Sequence, residues 1–199
     1  MSRNPPERRD EAVATAVLVT SLPVVDGVLD QYAIALGHDF IAYRNHVHRV
    51  VNLCLAVTGG SRDHLDKDDL DKIAVAAAFH DLGIWTDHTF DYLAPSVRLA
   101  SAWLAGHGKT GWTEEIAAMI LSHHKITPYQ EKNGWLVEPF RRADWIDVTR
   151  GALTLGAPRT FIAELYAQWP DAGFHRRLLQ LELGHLRKHP LNPLPMFRL

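Results

Sequence analysis

Hydrophobic residues recur at intervals of three and four positions along most of this chain, from about residue 22 to residue 188. That interval is the period of an α-helix, and no stretch shows the sustained alternation of a half-buried strand. Clusters of glycine, proline and polar residues divide the pattern into segments. The sequence therefore predicts an all-α protein. Helices are expected at residues 24–35, 38–58, 67–82, 92–106, 113–125, 136–152, 158–167 and 173–188.

The length of the chain favours a single domain. With 199 residues, 47% of them hydrophobic, the chain is long enough for one sizeable core and short for two. Residues 1–10 are polar and contain two prolines, so we expect a frayed segment there, followed by one domain over residues 11–199. The tail after residue 188 contains three prolines and is not expected to be helical.

Composition narrows the classes of partner. The formal net charge is −2, so no basic field is available to hold a nucleic-acid polymer. No apolar run approaches the roughly 20 residues that span a bilayer. The single cysteine, Cys54, lies in an apolar run and is expected to be a buried thiol, which fits a reducing, cytoplasmic setting. The sequence is compatible with a homo-oligomer.

The stretch "AVAAAFHDLGIW" at residues 74–85 combines a buried-helix pattern with ionisable residues. Its apolar residues surround the helix on all sides, which indicates a helix buried within the bundle. His80 and Asp81 are expected on its last turn, with Gly83 ending it in a left-handed conformation. A buried aspartate at the negative end of a helix needs a compensating charge, which either an arginine or a metal ion can supply.

The second predicted helix carries another inward histidine. Tyr43, His46 and Val50 are three or four residues apart and share one face of this helix. His48 lies about 200° around the helix from His46 and is expected near the surface.

Two further helices direct polar side chains inward. In the fifth predicted helix, His123 continues an apolar stripe and His124 lies at its edge. In the sixth, Asp144 and Asp147 share one face. A lone inward histidine usually forms ordinary hydrogen bonds in a core. Several such residues on separate helices favour metal ligation instead.

These segments together resemble the HD-domain superfamily of metal-dependent phosphohydrolases. The likeness is carried by "NHVHRVVN", "AAFHDLG", "ILSHHK" and "RRADWID", in that order, within about residues 39–150. It implies an HD-type helical bundle with the His-Asp pair on a buried central helix and the metal-site core in that region. The implied metal ligands are His46, His80, Asp81 and Asp144.

The implied cofactor is one divalent metal ion. Two imidazoles and two carboxylates suit Mn, Fe, Co, Ni or Zn, and the ligand types do not choose among them. Members with two metals have a further histidine in the next helix, where this chain has Ser96. His107 lies beyond that helix in a glycine-rich loop and is a poor substitute.

The resemblance implies a small-molecule substrate, a phosphate ester or nucleotide, that is hydrolysed through a metal-bound water. Asp81 is expected to orient that water or accept its proton, and His123 and His124 to donate hydrogen bonds to the substrate. Three cationic side chains are candidates for binding the phosphate. For each of them, the equally good alternative is a structural role, as a solvated surface charge or as a partner in an ion pair at a helix end. They are Arg49, Lys125 and Arg141.

Two other functions stay open. Residues 88–108, followed by "EEIAAMILSHH", also resemble cyanamide-hydratase-like HD proteins, in which one zinc delivers water to a small nitrile. The second alternative is an HD domain that binds a metal or nucleotide without turnover. In either enzyme, Trp85 and Tyr92 are candidates for the wall of a substrate pocket. His175, His185 and His189 are expected at the surface.

Overall fold

The computed structural model describes residues 17–58, 65–192 and 195–197. Within these ranges every regular element is helical, so the predicted all-α class is confirmed. The helices are α1 (Pro23–Gln31), α2 (Ala33–Leu36), α3 (Phe40–Val57), α4 (Lys67–Phe79), α5 (Gly83–Thr86), α6 (Leu93–Gly106), α7 (Thr113–Ser122), α8 (Gly134–Val148), α9 (Arg159–Gln168) and α10 (Phe174–Lys188). None of these helices is long and apolar enough to cross a membrane. The predicted frayed segment and the predicted domain start at residue 11 lie outside the described ranges.

Most helix boundaries agree with the predicted ones to within a few residues, and the larger differences have backbone causes. Tyr32 leaves the helical conformation and divides the first predicted helix into α1 and α2. Helix α8 ends at Val148, earlier than predicted, because Arg150 and Gly151 adopt left-handed backbone angles, with φ of 53° and 76°.

Helix α4 lies among α1, α3, α6 and α7. It begins at a capping box, in which the Asp66 side chain accepts from the Asp69 backbone N–H and Asp69 returns the bond. Every residue from Ile73 to Phe79 is buried, and the four alanines among them allow the neighbouring helices to approach closely. This packing places the residues that follow Phe79 inside the protein.

Helices α3 and α8 form the most extensive contact between elements and complete the core beside α4. Along α3, Val47, Val50, Val51 and Leu53 are fully buried, and each contributes roughly 1.5–3 kcal/mol of stabilisation. Cys54 is also fully buried, as predicted, and burial raises the pKa of its thiol to about 12.

Gly83 has a different structural role from the predicted one. Helix α4 ends at Phe79, before the His-Asp pair, and Gly83 begins α5 without a positive φ. The prediction of a left-handed turn there is therefore wrong. A Cβ at Gly83 would lie 2.7 Å from the Tyr92 carbonyl oxygen and 3.0 Å from Ser96 Oγ. Glycine is needed because the start of α6 packs directly against the turn that carries His80 and Asp81.

We expect Gly83→Ala to destabilise the protein by about 1–3 kcal/mol, because the new methyl group overlaps backbone that cannot move independently. Chemical denaturation would measure the change in the free energy of unfolding. Gly27→Ala is the matched control, since Gly27 lies in α1 with nothing within 4 Å of its added Cβ. That control is expected to be neutral or stabilising, because alanine is the better helix former. Equal effects of the two substitutions would contradict the role assigned to Gly83.

Candidate metal centre

Five buried side chains from four parts of the fold converge at one point. His46 comes from α3, His80 and Asp81 from the turn after α4, His123 from the residue after α7, and Asp144 from α8. Two overlapping groups of these residues have ligand atoms within 4.8 Å of one another. All four predicted metal ligands are therefore brought together, and His123 joins them.

Three distances between the ligand atoms fit a single ion. His46 Nε2 lies 3.0 Å from His80 Nε2, and His80 Nε2 lies 3.5 Å from Asp81 Oδ2 and 3.6 Å from Asp144 Oδ1. With metal–ligand bonds of about 2.1 Å, neighbouring ligand atoms are about 3.0 Å apart on an octahedron and about 3.4 Å apart on a tetrahedron. These three contacts match a coordination sphere, whereas His46 Nε2 lies 3.8 Å from Asp81 Oδ2 and from Asp144 Oδ1, somewhat farther than neighbouring ligand atoms that share one ion.

The second nitrogen of each imidazole determines which way its lone pair faces. His46 Nδ1 donates to Asp147 Oδ2 at 2.7 Å. His80 and His123 donate from Nδ1 to backbone carbonyls three residues earlier, at 2.7 and 2.6 Å. These partners only accept, so each neutral ring keeps its proton on Nδ1 and presents an unprotonated Nε2 to the cluster. This is the arrangement of a metal-ligating histidine.

Two buried atoms in the cluster have no hydrogen-bond partner. They are Asp81 Oδ1 and His123 Nε2, which lie 3.4 Å apart. An unsatisfied buried polar group costs about 1–3 kcal/mol. No lysine or arginine of the described ranges lies within 4.0 Å of Asp81, whose charged neighbours are histidines. Of the two compensating charges that the sequence left open, a metal ion therefore fits this site and an arginine does not.

The charges of the cluster shift its own protonation. Burial alone would lower the pKa of His80, but the carboxylates of Asp81 and Asp144 outweigh it and raise that pKa to about 9. Burial would likewise raise the pKa of Asp81, but His80 and His123 hold it well below its usual range. In the metal-free chain, a proton on His80 thus occupies the position that suits a cation.

Asp147 accepts a hydrogen bond from the His46 nitrogen that faces away from the cluster, and so it orients that ring. The sequence did not assign this role to it. Besides accepting from His46, it receives Arg49 Nε on Oδ1 at 2.6 Å and Arg49 Nη2 on Oδ2 at 2.9 Å. The Tyr166 hydroxyl also donates to Oδ1, at 3.0 Å. Burial opposes ionisation, but His46 and Arg49 lower the pKa of Asp147 below its usual range. Its spacing of three residues from Asp144 was the signal available in the sequence.

The three predicted phosphate-binding cations do not face the cluster. The prediction for Arg49 is wrong, because its side chain is fully buried and all three of its nitrogens bond to Asp147 or to backbone carbonyls. Arg141 donates twice to Glu138, at 2.7 Å, and once to the carbonyl of Lys125. The ammonium of Lys125 lies 3.4 Å from Glu131.

A cavity of about 340 Å³ opens onto Asp81 and Asp144. One face of α10 forms much of the opposite wall, and most of the remaining wall is apolar or aromatic. Tyr92, a predicted wall residue, lines it together with His124, whereas Trp85 does not and instead donates from Nε1 to Asp39. No lysine or arginine of the described ranges lines this cavity. This metal-site cavity has the size and composition of a small-molecule site.

Tyr92 and His124 are joined at the wall of the metal-site cavity by a hydrogen bond between the Tyr92 hydroxyl and His124 Nε2. Burial and the neighbouring His123 lower the pKa of His124 to about 3, while burial and Asp81 raise that of Tyr92 well above its usual value. The phenol therefore keeps its proton and donates to a neutral imidazole. The structure thus brings the predicted His123 and His124 to this site.

Ser96 and the other histidines of the described ranges, apart from His124, are not among the groups of possible ligands, although His175 lines the metal-site cavity. His48 points away from the cluster as predicted, but it is fully buried rather than near the surface, because Trp169 stacks on its ring. His175 is half-buried and bonds through Nε2 to the carbonyl of Asp147 at 2.8 Å. Ser96 accepts the backbone N–H of Gly83, so a second metal has no histidine there.

Comparisons of the chain with protein-family models, with curated proteins and with solved structures found no match. The resemblance to the HD-domain superfamily therefore stays a prediction from the sequence. The metal centre rests on its geometry.

We expect the stability of the metal-free protein to fall as the pH rises. The raised pKa of His80 means that its charge stabilises the fold fully below about pH 6.5, the unfolded value, and that this stabilisation is lost as the pH passes about 9. The loss is on the order of 3 kcal/mol. A bound ion replaces this proton, so the metal-loaded protein should resist the fall. Denaturant titrations at several pH values would measure the free energy of unfolding of the chelator-treated and the metal-loaded protein. If that free energy decreases equally with pH in the two samples, His80 is not a metal ligand.

We expect Arg49→Met to destabilise the protein, because it removes the two hydrogen bonds that Arg49 donates to the buried carboxylate of Asp147. A loss of about 3–5 kcal/mol in the free energy of unfolding is expected. Arg44→Met is the control on the same helix, since Arg44 pairs with Asp26 where both side chains are about one-third exposed. Its effect should stay within about 1 kcal/mol. A normal stability for Arg49→Met would show that the pair with Asp147 is dispensable.

Proposed function

We propose that this protein is a metal-dependent hydrolase that binds one divalent ion, Mn, Fe, Co, Ni or Zn. The ligands are His46, His80, Asp81 and Asp144. The observation that carries the proposal is the set of inward Nε2 atoms beside Asp81 Oδ1 and His123 Nε2, the two atoms without a hydrogen-bond partner. When bound, such an ion supplies Lewis acidity, which lowers the pKa of a coordinated water and polarises a substrate oxygen.

Four side chains around the metal centre have distinct roles in the proposed reaction. Asp81 directs Oδ2 toward His46 and His80 and Oδ1 toward His123, so Oδ1 is available to orient a water and to accept its proton. Tyr92 and His124 stand at the cavity wall beside it, where the Tyr92 oxygen can still accept a hydrogen bond from the substrate while its proton is donated to His124. Asp147 holds His46 in the required tautomer, which maintains the geometry of the site.

A phosphate ester or nucleotide is the substrate class that the resemblance to HD phosphohydrolases implies. The electrostatics of the metal-site cavity favour a second candidate within the same mechanism. Two carboxylate ligands balance a divalent ion, Glu182 adds a negative charge to the wall, and the described wall contains no lysine or arginine. A small uncharged molecule such as a nitrile avoids repulsion from Glu182. Hydration of a nitrile, as in cyanamide-hydratase-like proteins, is therefore the second candidate.

The test combines metal content with turnover. Purified protein reconstituted with each of the five metals would be assayed for phosphate release from nucleotides and simple phosphate esters, and for urea formed by adding water to cyanamide. We expect Asp144→Asn to lose the bound metal and to lower the active rate by about 100-fold or more. Asp30→Asn is the control, because Asp30 is exposed on α1 and away from the cavity.

Each outcome of this test decides between the candidates. Phosphate release supports the phosphohydrolase, and urea formation supports the hydratase. Stoichiometric metal without turnover on either class supports a binding domain without catalysis. Failure to bind any of the five metals, or equal metal content in Asp144→Asn and Asp30→Asn, would overturn the metal centre itself.

A further inference from the structure

A second cavity, of about 400 Å³, lies where the chain passes from the end of α8 into α9. Arg150, Arg159 and Tyr166 provide its polar groups, and Gly151, Ile162 and Ala163 complete the wall. No carboxylate contributes to the described wall. Its charge is therefore opposite to that of the metal-site cavity, which contains carboxylates and no arginine.

The two arginines differ from most others in the described ranges because they make no ion pair with a carboxylate. Arg159 Nη1 contacts the Gly151 carbonyl oxygen at 3.5 Å, which brings its guanidinium to the residue next to Arg150. Five of the other eight arginines of the described ranges are paired with carboxylates within 4.0 Å: Arg44, Arg49, Arg98, Arg141 and Arg177. The cavity thus concentrates positive charge that has no carboxylate of the described ranges within 4.0 Å, and Asp171 acts on Arg150 only from a longer distance.

The backbone fixes the positions from which these two exposed arginines extend. The Arg150 backbone N–H donates to the Asp147 carbonyl at 2.8 Å, and the Gly151 N–H donates to the Ile146 carbonyl at the same distance. A Cβ on Gly151 would lie 2.9 Å from Ile162 Cγ2, so the turn after α8 packs closely against α9. The two arginines are therefore presented to one cavity by a closely packed turn and a helix.

We propose that this cavity binds a small phosphorylated organic molecule. Guanidinium groups match phosphate oxygens with paired, charge-assisted hydrogen bonds. The apolar or aromatic part of the ligand would pack on Ile162, Ala163 and the ring of Tyr166, and the volume is that of a small-molecule site. The inference does not depend on the proposed hydrolase activity, because none of these residues is a metal ligand.

The anion site is connected to the metal centre through Tyr166. The Tyr166 hydroxyl donates to Asp147 Oδ1 at 3.0 Å, and Asp147 Oδ2 accepts from His46 Nδ1 at 2.7 Å. The Arg49 guanidinium carbon lies 4.5 Å from the centre of the Tyr166 ring. Two hydrogen bonds therefore separate the wall of this cavity from a metal ligand, and occupancy of the anion site is expected to change metal affinity, with the reciprocal effect on the anion.

Phenylphosphonate is a suitable probe, because its carbon–phosphorus bond resists phosphatase action. Calorimetric titration of the full, metal-loaded chain should show saturable binding of one equivalent. We expect Arg150→Gln and Arg159→Gln each to weaken it by about tenfold or more. Arg187→Gln, an exposed arginine of α10, is the matched control and should not change the affinity. Benzyl alcohol, which lacks the charge, should not bind detectably.

The results separate this site from the metal centre. Binding that disappears after chelation, and that neither arginine substitution weakens, would assign the anion to the metal and overturn the proposal, as would the absence of saturable binding. The connection is tested with Tyr166→Phe, which should retain phenylphosphonate binding but lose its effect on metal affinity. If phenylphosphonate binds to the unsubstituted chain without changing metal affinity, the link through Tyr166 is wrong and the cavity is a binding site only.

Discussion

The need to compensate two buried carboxylates among three histidines is the constraint on which the rest of this structure depends. Asp81 and Asp144 lie in the core, where an uncompensated charge is far more costly than at the surface. Helices α3 and α8, together with the residues that follow α4 and α7, meet at this point. The polar cluster therefore lies between α3 and α8, the two helices with the most extensive mutual contact. A bound divalent ion would compensate the buried charges and stabilise the fold.

A second layer of polar contacts keeps the cluster in this arrangement. Asp147 links His46 to Arg49, and Arg49 reaches the carbonyls of Trp169 and Pro170 in the segment after α9. The ring of Phe174, at the start of α10, stacks on His46 with centroids 4.1 Å apart. The C-terminal helices are thus tied to the metal centre through the same histidine that would hold the ion. Arg49 belongs to this support and not to substrate recognition.

The walls of the two cavities contain side chains of opposite charge. The metal-site cavity has carboxylates and aromatic walls, whereas the cavity beside α9 has two arginines without a carboxylate. The charge of a phosphate group is better matched by the two arginines of the cavity beside α9 than by the carboxylates of the metal-site cavity. In the metal-site cavity, only the bound ion would attract a phosphate. Because Asp147 lies between them, the geometry of the metal centre and the state of the anion site are physically connected.

The sequence by itself determined the elements and the residues that face inward. The helical period predicted the all-α class and placed histidines and aspartates on the inward faces of several helices, because both follow from local geometry along each helix, whereas the ligand set His46, His80, Asp81 and Asp144 came from the resemblance to HD-domain proteins. Only the tertiary structure decided the contacts between helices. Arg49 and Asp147 lie 98 residues apart in the chain, so their pairing depends on how α3 packs against α8. His48 is buried by Trp169 for the same reason, and Gly83 is required by the approach of α6, which no local pattern encodes.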